Sequence, residues 1–110
     1  MIKREMKTLP VPVHHMNGTG KESLQRELRE AADSIQAAQK TLREMTVHSR
    51  DFYVRPDFKE AFEAYWNAQA NRTLALENMY EELASIYNAI EYNNSEAVFE
   101  VQSIETPEED

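Results

Sequence analysis

A glycine-flanked turn before the first predicted helix contains residue types that bind anions. Its candidate ligands are His15, Asn17, Thr19 and Lys21, and both glycines of the chain lie among them. The N-terminus of a helix presents free backbone N–H groups and a partial positive charge. The spacing is not that of a P-loop, because His15 stands where that motif requires glycine. The turn is therefore either a general anion site or an ordinary capped helix start.

A second group of basic and aromatic residues separates the two predicted helices. Arg50, Tyr53 and Arg55 lie close together in the sequence, with Asp51 among them. Guanidinium groups bind phosphates and aromatic rings stack on nucleobases, so these residues suit a nucleotide-like ligand. The alternative is that the rings close the end of a helical hairpin while Asp51 pairs with an arginine.

Two polar residues, Gln69 and Arg72, interrupt the apolar face of the second predicted helix. A buried arginine requires a carboxylate, carbonyl groups or a bound anion. The pair is either a polar layer that sets the register between helices or the anchor of a ligand.

No pattern in the sequence predicts a metal site, a cofactor or a catalytic group. The chain has no cysteine, and its three histidines lack further ligands at metal-binding spacing. No nucleophile is placed beside a base by local spacing. We therefore expect a protein that binds without catalysing a reaction, and that contains no metal or cofactor.

Heptad spacing predicts two long helices. The apolar residues of the first recur every 3.5 residues on average: Leu24, Leu28, Ala31, Ile35, Ala38, Leu42 and Met45. They predict a helix over 20–47 that opens with a Thr19/Glu22 capping box. After a loop at 48–57, a second helix is predicted over 58–92, opened in the same way by Asp57 and Glu60. An extra stripe that contains Trp66 and Tyr80 is wider than one helix can cover, which favours a homo-oligomer of at least two chains.

The chain ends are predicted to be extended arms on a single all-α domain at 1–110, a long antiparallel helical hairpin that forms an oligomeric helix bundle. Residues 1–7 are expected to be loose. Pro10 and Pro12 stand at alternate positions of the arm at 1–13 and remove N–H donors from one edge only. That arm is therefore either a strand that pairs through its other edge or a polyproline-like segment. The tail at 93–110 is expected to be extended and acidic, with a short strand near 97–104 that could pair with the arm.

The distribution of charge excludes some partners. Residues 1–59 contain eleven basic and eight acidic residues, whereas residues 60–110 contain one arginine and twelve acidic residues. Such a surface repels duplex nucleic acid. No apolar run approaches the roughly 20 residues of a membrane span, and no secretory signal is recognisable, so we expect a cytoplasmic protein.

Several of these motifs resemble those of small uncharacterised proteins encoded by bacteriophages and prophages. They are the His-x-Asn-Gly-Thr segment at 15–19, the Arg-Asp-Phe-Tyr segment at 50–53, Ala61-Phe62 and Arg72. The resemblance covers about residues 15–85. This chain has Phe52 where that group has tyrosine, and Ala68-Gln69 where it has Glu-His. The resemblance implies a phage genome, a bacterial host cytoplasm and an accessory role.

The sequence therefore favours a phage counter-defence protein that sequesters a small phosphorylated ligand, such as a nucleotide second messenger, at sites shared between subunits. The alternative is an inhibitor or adaptor whose acidic second helix binds a host protein. Its acidic residues would be Glu63, Glu77, Glu81, Glu82 and Glu91.

Overall fold

The computed structural model describes residues 1–13 and 20–104, which form two long helices and a two-stranded sheet. The elements in order are β1 (Ile2–Pro10), α1 (Lys21–Glu44), a 3-10 helix (Ser49–Phe52), α2 (Phe58–Glu91) and β2 (Glu96–Ile104). The described residues are 63% helix and 18% strand, so the fold is mixed α/β and the prediction of an all-α fold is wrong. The physical reason is that the two arms pair with each other and build a sheet.

The sheet is antiparallel and has an uninterrupted register. Pairing runs from Ile2 opposite Ile104 to Pro10 opposite Glu96. The Val11 N–H donates to the Ser95 carbonyl at 2.9 Å, which extends the ladder by one residue. Because backbone groups alternate in direction along a strand, Pro10 and Pro12 fall where an N–H would point away from β2. The N-terminal arm is therefore a strand that pairs through one edge, and residues 2–7, expected to be loose, belong to it.

A left-handed residue turns the chain from α2 into β2. Asn93 has φ 54°. Its N–H donates to the Ile90 carbonyl at 3.2 Å, and the Asn94 N–H donates to the Ala89 carbonyl at 2.8 Å. These two bonds are those of a Schellman motif, which satisfies the last carbonyls of a helix and reverses the chain. As a result β2 runs back along α2.

The side chain of Asn78 joins α2 to the outer edge of β2. Its Nδ2 donates to the Gln102 carbonyl at 2.7 Å, and its Oδ1 accepts from the Gln102 N–H at 2.9 Å. One amide side chain therefore replaces a neighbouring strand at this residue. The pair also shows that the Gln102 backbone groups point away from β1, as the Val11–Ser95 bond requires.

The elements lie side by side in one layer, in the order α1, α2, β2, β1. Within the described residues, neither strand approaches α1, and α2 approaches only β2 of the two strands. The molecule measures 64 × 34 × 15 Å, and its Cα radius of gyration is 19.0 Å. A compact chain of this length has a radius of about 13 Å. The fold therefore lacks the second layer that normally covers a domain's apolar surface.

Burial is correspondingly limited. The largest cluster of buried residues contains Val11, Ala89, Ile90 and Ala97, with Leu24, Leu28 and Ile86 packed around it. The accessible surface is 8405 Å². A compact monomer of 12.8 kDa exposes only ~6,300 Å². The chain therefore exposes about 2,000 Å² more surface than a compact monomer of its mass.

Of the two sets of heptad positions on α1, only one is partly buried along its whole length within the chain. Leu28, Ile35 and Leu42 are partly buried in the hairpin, whereas Ala31 and Ala38 are exposed. The helix ends at Glu44, three residues before the predicted end, because Met45 is extended with ψ 129°. Ala31 and Ala38 therefore face outward, whereas Leu24 of the same set packs against the core.

We expect Asn78→Ala to lower the free energy of unfolding by about 1–3 kcal/mol, because it leaves two backbone groups of Gln102 without protein partners. Urea unfolding followed by circular dichroism measures the change. Asn71→Ala is the matched control, since Asn71 is exposed on the same helix and the substitution alters helix propensity equally. Equal stabilities of the two variants would show that the Asn78 bonds contribute nothing.

Candidate functional site

The predicted ligand-binding residues lie at two ends of the hairpin and at its middle. Lys21 begins α1, and the loop with Arg50, Tyr53 and Arg55 follows its other end. A helix of 24 residues spans ~36 Å at 1.5 Å per residue, so the two groups cannot meet within one chain. The predicted ligands His15, Asn17 and Thr19 lie outside the described residues, as does the Thr19 cap. Gly20 is the N-cap of α1.

Lys21 is bound to the end of α2. Its Nζ donates to the Glu91 carbonyl at 3.0 Å and lies 3.8 Å from Glu91 Oε2. The neighbouring Gln25, which is buried, donates from Nε2 to the same carboxylate at 2.7 Å. These contacts fasten the start of α1 to the end of α2. In the described part of the chain, Lys21 has a structural role.

The loop between the helices is folded around a 3-10 turn and an aromatic cluster. The Asp51 carboxylate accepts from the His48 N–H at 2.9 Å, so it caps the turn, and it makes no ion pair with an arginine of the described residues. The Phe52 ring contacts Phe62 and Tyr65 at centroid distances of 5.6 and 5.8 Å. These aromatic contacts close the end of the hairpin. The structure therefore shows the alternative to base stacking, in which the aromatic rings close the end of the hairpin core.

Two residues of this loop remain available for a ligand. Tyr53 is 60% exposed, and its ring contacts Phe58 at 5.4 Å. The Arg50 side chain is exposed and makes no hydrogen bond or ion pair within the described ranges. A guanidinium group without a carboxylate partner can bind a phosphate without first breaking an ion pair.

Arg55 is already paired. Its guanidinium donates to both carboxylate oxygens of Asp57 at 2.9 and 3.1 Å. The hydrogen bond from Arg55 holds the pKa of Asp57 below its ordinary value, and the same bond raises the pKa of Arg55. Asp57 is the N-cap of α2 but makes no side-chain capping bond, because its oxygens are engaged by Arg55. A phosphate at Arg55 would have to displace Asp57.

Gln69 and Arg72 form a polar bridge to α1. Gln69 is 8% exposed, and its Nε2 donates to the Leu42 carbonyl at 3.1 Å. Arg72 donates to Gln69 Oε1 at 3.1 Å and is itself exposed. The premise of a buried Arg72 is therefore wrong. Gln69 binds one of the last carbonyls of α1, which fits a register-setting layer better than a ligand anchor.

Beside this bridge lies a half-open cavity of about 470 Å³ between the end of α1, the middle of α2 and the end of the sheet. Its walls are mainly apolar, and Trp66 lines it while remaining 47% exposed. Arg43 lines the same cavity. The size is in the range of small-molecule sites, which usually combine apolar walls with a few polar groups.

The aromatic cluster connects this cavity to the loop. Phe62 contacts Phe52 on one side and Trp66 on the other, at 5.6 and 6.0 Å. The turn that contains Arg50 is therefore joined through edge-to-face aromatic contacts to a wall of the cavity. Sequence reasoning missed Arg43, and it assigned Trp66 only to an oligomer interface. The single tryptophan of the chain, set in a polar stretch of α2, was the available signal.

Comparison with known protein families, curated proteins and solved structures gives no match. No helix in the described ranges is both long and apolar enough to cross a membrane. Residues 1–13 and 20–104 contain no cluster of three or more metal-ligating side chains. The functional argument therefore depends on the geometry of the site.

We expect Arg55→Met to raise the pKa of Asp57 toward its ordinary value, because the hydrogen bond that favours the charged carboxylate is lost. The stabilisation from this pair exists above the ordinary pKa of aspartate and disappears as the pH falls through the lowered value. A carbon-detected NMR titration measures it.

Glu5 is the internal control for this titration. Its pKa is also lowered, first by the hydrogen bond from Lys3 and then by that from Lys7, and it lies on β1. It should titrate unchanged in the variant. An unchanged Asp57 would mean that the Arg55 pair does not persist in solution.

Proposed function

We propose that this protein is a non-enzymatic, phage-encoded accessory protein that sequesters a small phosphorylated ligand with an aromatic base, such as a nucleotide second messenger. The observation that carries the proposal is the cavity with a half-exposed Trp66 on its wall and Arg43 at its margin. A base can stack on the indole ring, and guanidinium groups can bind phosphate. The phage setting depends on the sequence resemblance.

The charges around the loop support a bound anion. The Arg50 side chain is exposed in the loop and has no partner among the described residues, while Arg43 lines the cavity. Glu63 and Glu81 are exposed elsewhere on α2, and Glu77 lines the cavity itself. A phosphate is therefore attracted to Arg43 and Arg50 and repelled by Glu77 and by the rest of the acidic surface of α2.

We further propose that the site is shared between subunits. The glycine turn before α1 and the Arg50 loop lie at opposite ends of a helix that is ~36 Å long. Two chains that run in opposite directions would bring one end of each together. The single-layer fold supports such an assembly, because it leaves about 2,000 Å² more surface exposed than a compact monomer.

The alternative function, an inhibitor or adaptor of a host protein, is supported by the acidic surface of α2. Glu63 and Glu81 are 18 residues apart, which is five full helical turns, and Glu77 lies one turn before Glu81. These three therefore share a face. Glu82 is rotated by about 100° from them, and Glu91 is held by Lys21 and Gln25. The acidic face is smaller than the sequence predicts.

Native mass spectrometry of the purified protein, alone and with a panel of cyclic mono- and dinucleotides, tests the proposal. Retained mass in the nucleotide range, or added mass from one member of the panel, is the expected result. A protein that stays bare with every nucleotide would favour the acidic-surface alternative.

For the nucleotide that binds, we expect Arg50→Ala and Trp66→Ala each to weaken affinity about 5- to 150-fold, since a charge-assisted hydrogen bond or a stacked base contributes ~1–3 kcal/mol. Titration calorimetry measures both variants. In the wild type, quenching of the only tryptophan gives an independent signal.

Lys40→Ala is the matched control for these substitutions, because Lys40 is exposed on α1 and lines none of the cavity. It should bind like the wild type. Equal losses in Arg50→Ala and Lys40→Ala, with none in Trp66→Ala, would indicate general electrostatic attraction and not a site at this end of the hairpin.

A further inference from the structure

The outer edge of β1 is an unpaired strand edge. Since Val11 and the odd-numbered residues of β1 face β2, the backbone groups of Ile2, Arg4, Met6 and Thr8 point away from it. No described element covers this edge, because α2 approaches β2 and not β1. The opposite edge of the sheet is bonded by Asn78 at Gln102. β1 is therefore the open side of the layer.

An isolated two-stranded sheet is only marginally stable in water, and an open edge normally acquires a partner or is blocked. Charged residues and proline are the usual means of blocking, and β1 contains both. Here the charges alternate in sign: Glu5 lies between Lys3 and Lys7, with ion pairs of 3.2 and 3.4 Å. Because the charges alternate, most alignments of a second strand along this edge are unfavourable. An alignment that places opposite charges side by side is favoured.

We propose that a second copy of this chain binds along β1, antiparallel and centred on Met6, so that the two sheets join into one sheet of four strands. In this register Glu5 lies opposite the partner's Lys7, and Lys7 opposite the partner's Glu5. Met6 meets the partner's Met6, and Arg4 faces the partner's Thr8. No like charges stand opposite each other.

The neighbouring two-fold registers are unfavourable. Centring on Arg4, Glu5 or Lys7 would place that residue opposite its own copy, with two equal charges in direct contact. Only the Met6 register also pairs the whole strand from Ile2 to Pro10. Its outermost pairs, Ile2 with Pro10, each lose one of two bonds because proline has no N–H.

The exposed side chains fit the same arrangement. Met6 is 65% and Ile2 52% exposed, and both are on the face of the sheet that also includes Val98, which is 58% exposed. Pairing of the two β1 strands keeps that face continuous across the dimer axis. The apolar residues of both copies would then lie together on one four-stranded surface.

The pairing places the partner's Pro10 beside Ile2, which lines the candidate cavity. The partner's chain therefore leaves the sheet, on its way to the glycine turn, at the cavity end of the first copy. This geometry gives a shared site a structural basis. The pairing itself requires no ligand, so it can fail or succeed independently of the proposed function.

Disulfide trapping tests the register, and the wild-type chain has no cysteine. A hydrogen-bonded antiparallel pair has Cα atoms ~5.5 Å apart, which is within the range of a disulfide. Met6→Cys should therefore form a covalent dimer under mild oxidation. Thr8→Cys and Arg4→Cys alone should not, because each is ~13 Å along the strand from its own copy. A mixture of the latter two should cross-link.

Absence of a Met6→Cys dimer, or cross-linking of Arg4→Cys alone, would overturn the register.

A second test exchanges charges and needs no cysteine. The Glu5→Lys and Lys7→Glu variants should each be mainly monomeric alone and should form a dimer when they are mixed, as measured by native mass spectrometry. Repulsion between neighbouring charges within each variant chain is the same before and after mixing, so it does not affect the comparison. Equal dimer fractions before and after mixing would overturn the proposed pairing.

Discussion

The fold depends on the burial of Ile90 near the end of α2. It is 2% exposed, and it packs with Ala89, Ala97 and Val11, so residues from the second helix and both strand regions meet there. Leu24 and Leu28 bring α1 to the same place. The Schellman turn that follows Ile90 and the bonds of Lys21 and Gln25 to Glu91 lie beside this core. Away from it, the helices are joined by the partly buried apolar side of α1 and the aromatic cluster of the loop, together with a few polar bridges.

Two of those bridges hold the distant parts of the layer. Asn78 attaches β2 to α2, and Gln69 attaches the end of α1 to the middle of α2. Asn78 binds backbone groups of Gln102 that otherwise lack a partner among the described residues, whereas the Leu42 carbonyl bound by Gln69 also accepts from the Met45 N–H. Such bonds set the register between elements more than they raise the free energy of unfolding, because each replaces hydrogen bonds to water with hydrogen bonds within the protein. The candidate cavity lies beside Gln69.

Because the fold has a single layer, the shared ligand site and the pairing of two β1 strands both involve self-association. One face of each helix and one edge of the sheet remain without partners, and a chain of this length cannot cover them itself. A second copy along β1 extends the sheet, while the exposed alanines of α1 leave room for a further helix to approach. The ligand proposal uses the cavity end of the hairpin, where Trp66 and Arg50 are accessible.

The sequence by itself determined the two helices and the edge through which the N-terminal arm can pair. Both are local properties: the heptad period needs only one helix, and Pro10 and Pro12 lack N–H donors in any environment. Only the tertiary structure decided the sheet, because the pairing of residues 2–10 with 96–104 joins opposite ends of the chain.

The same distinction applies to the candidate site. The spacing of Gln69 and Arg72 predicts that they share one helical face. A separation of three residues nevertheless turns the two side chains about 60° apart around the helix axis. As a result α1 covers Gln69 and leaves Arg72 exposed. Asp57 could cap α2 or bind Arg55, and local sequence permits both. The cavity at Trp66 arises where two helices and a sheet end fail to fill the space between them, which no local pattern encodes.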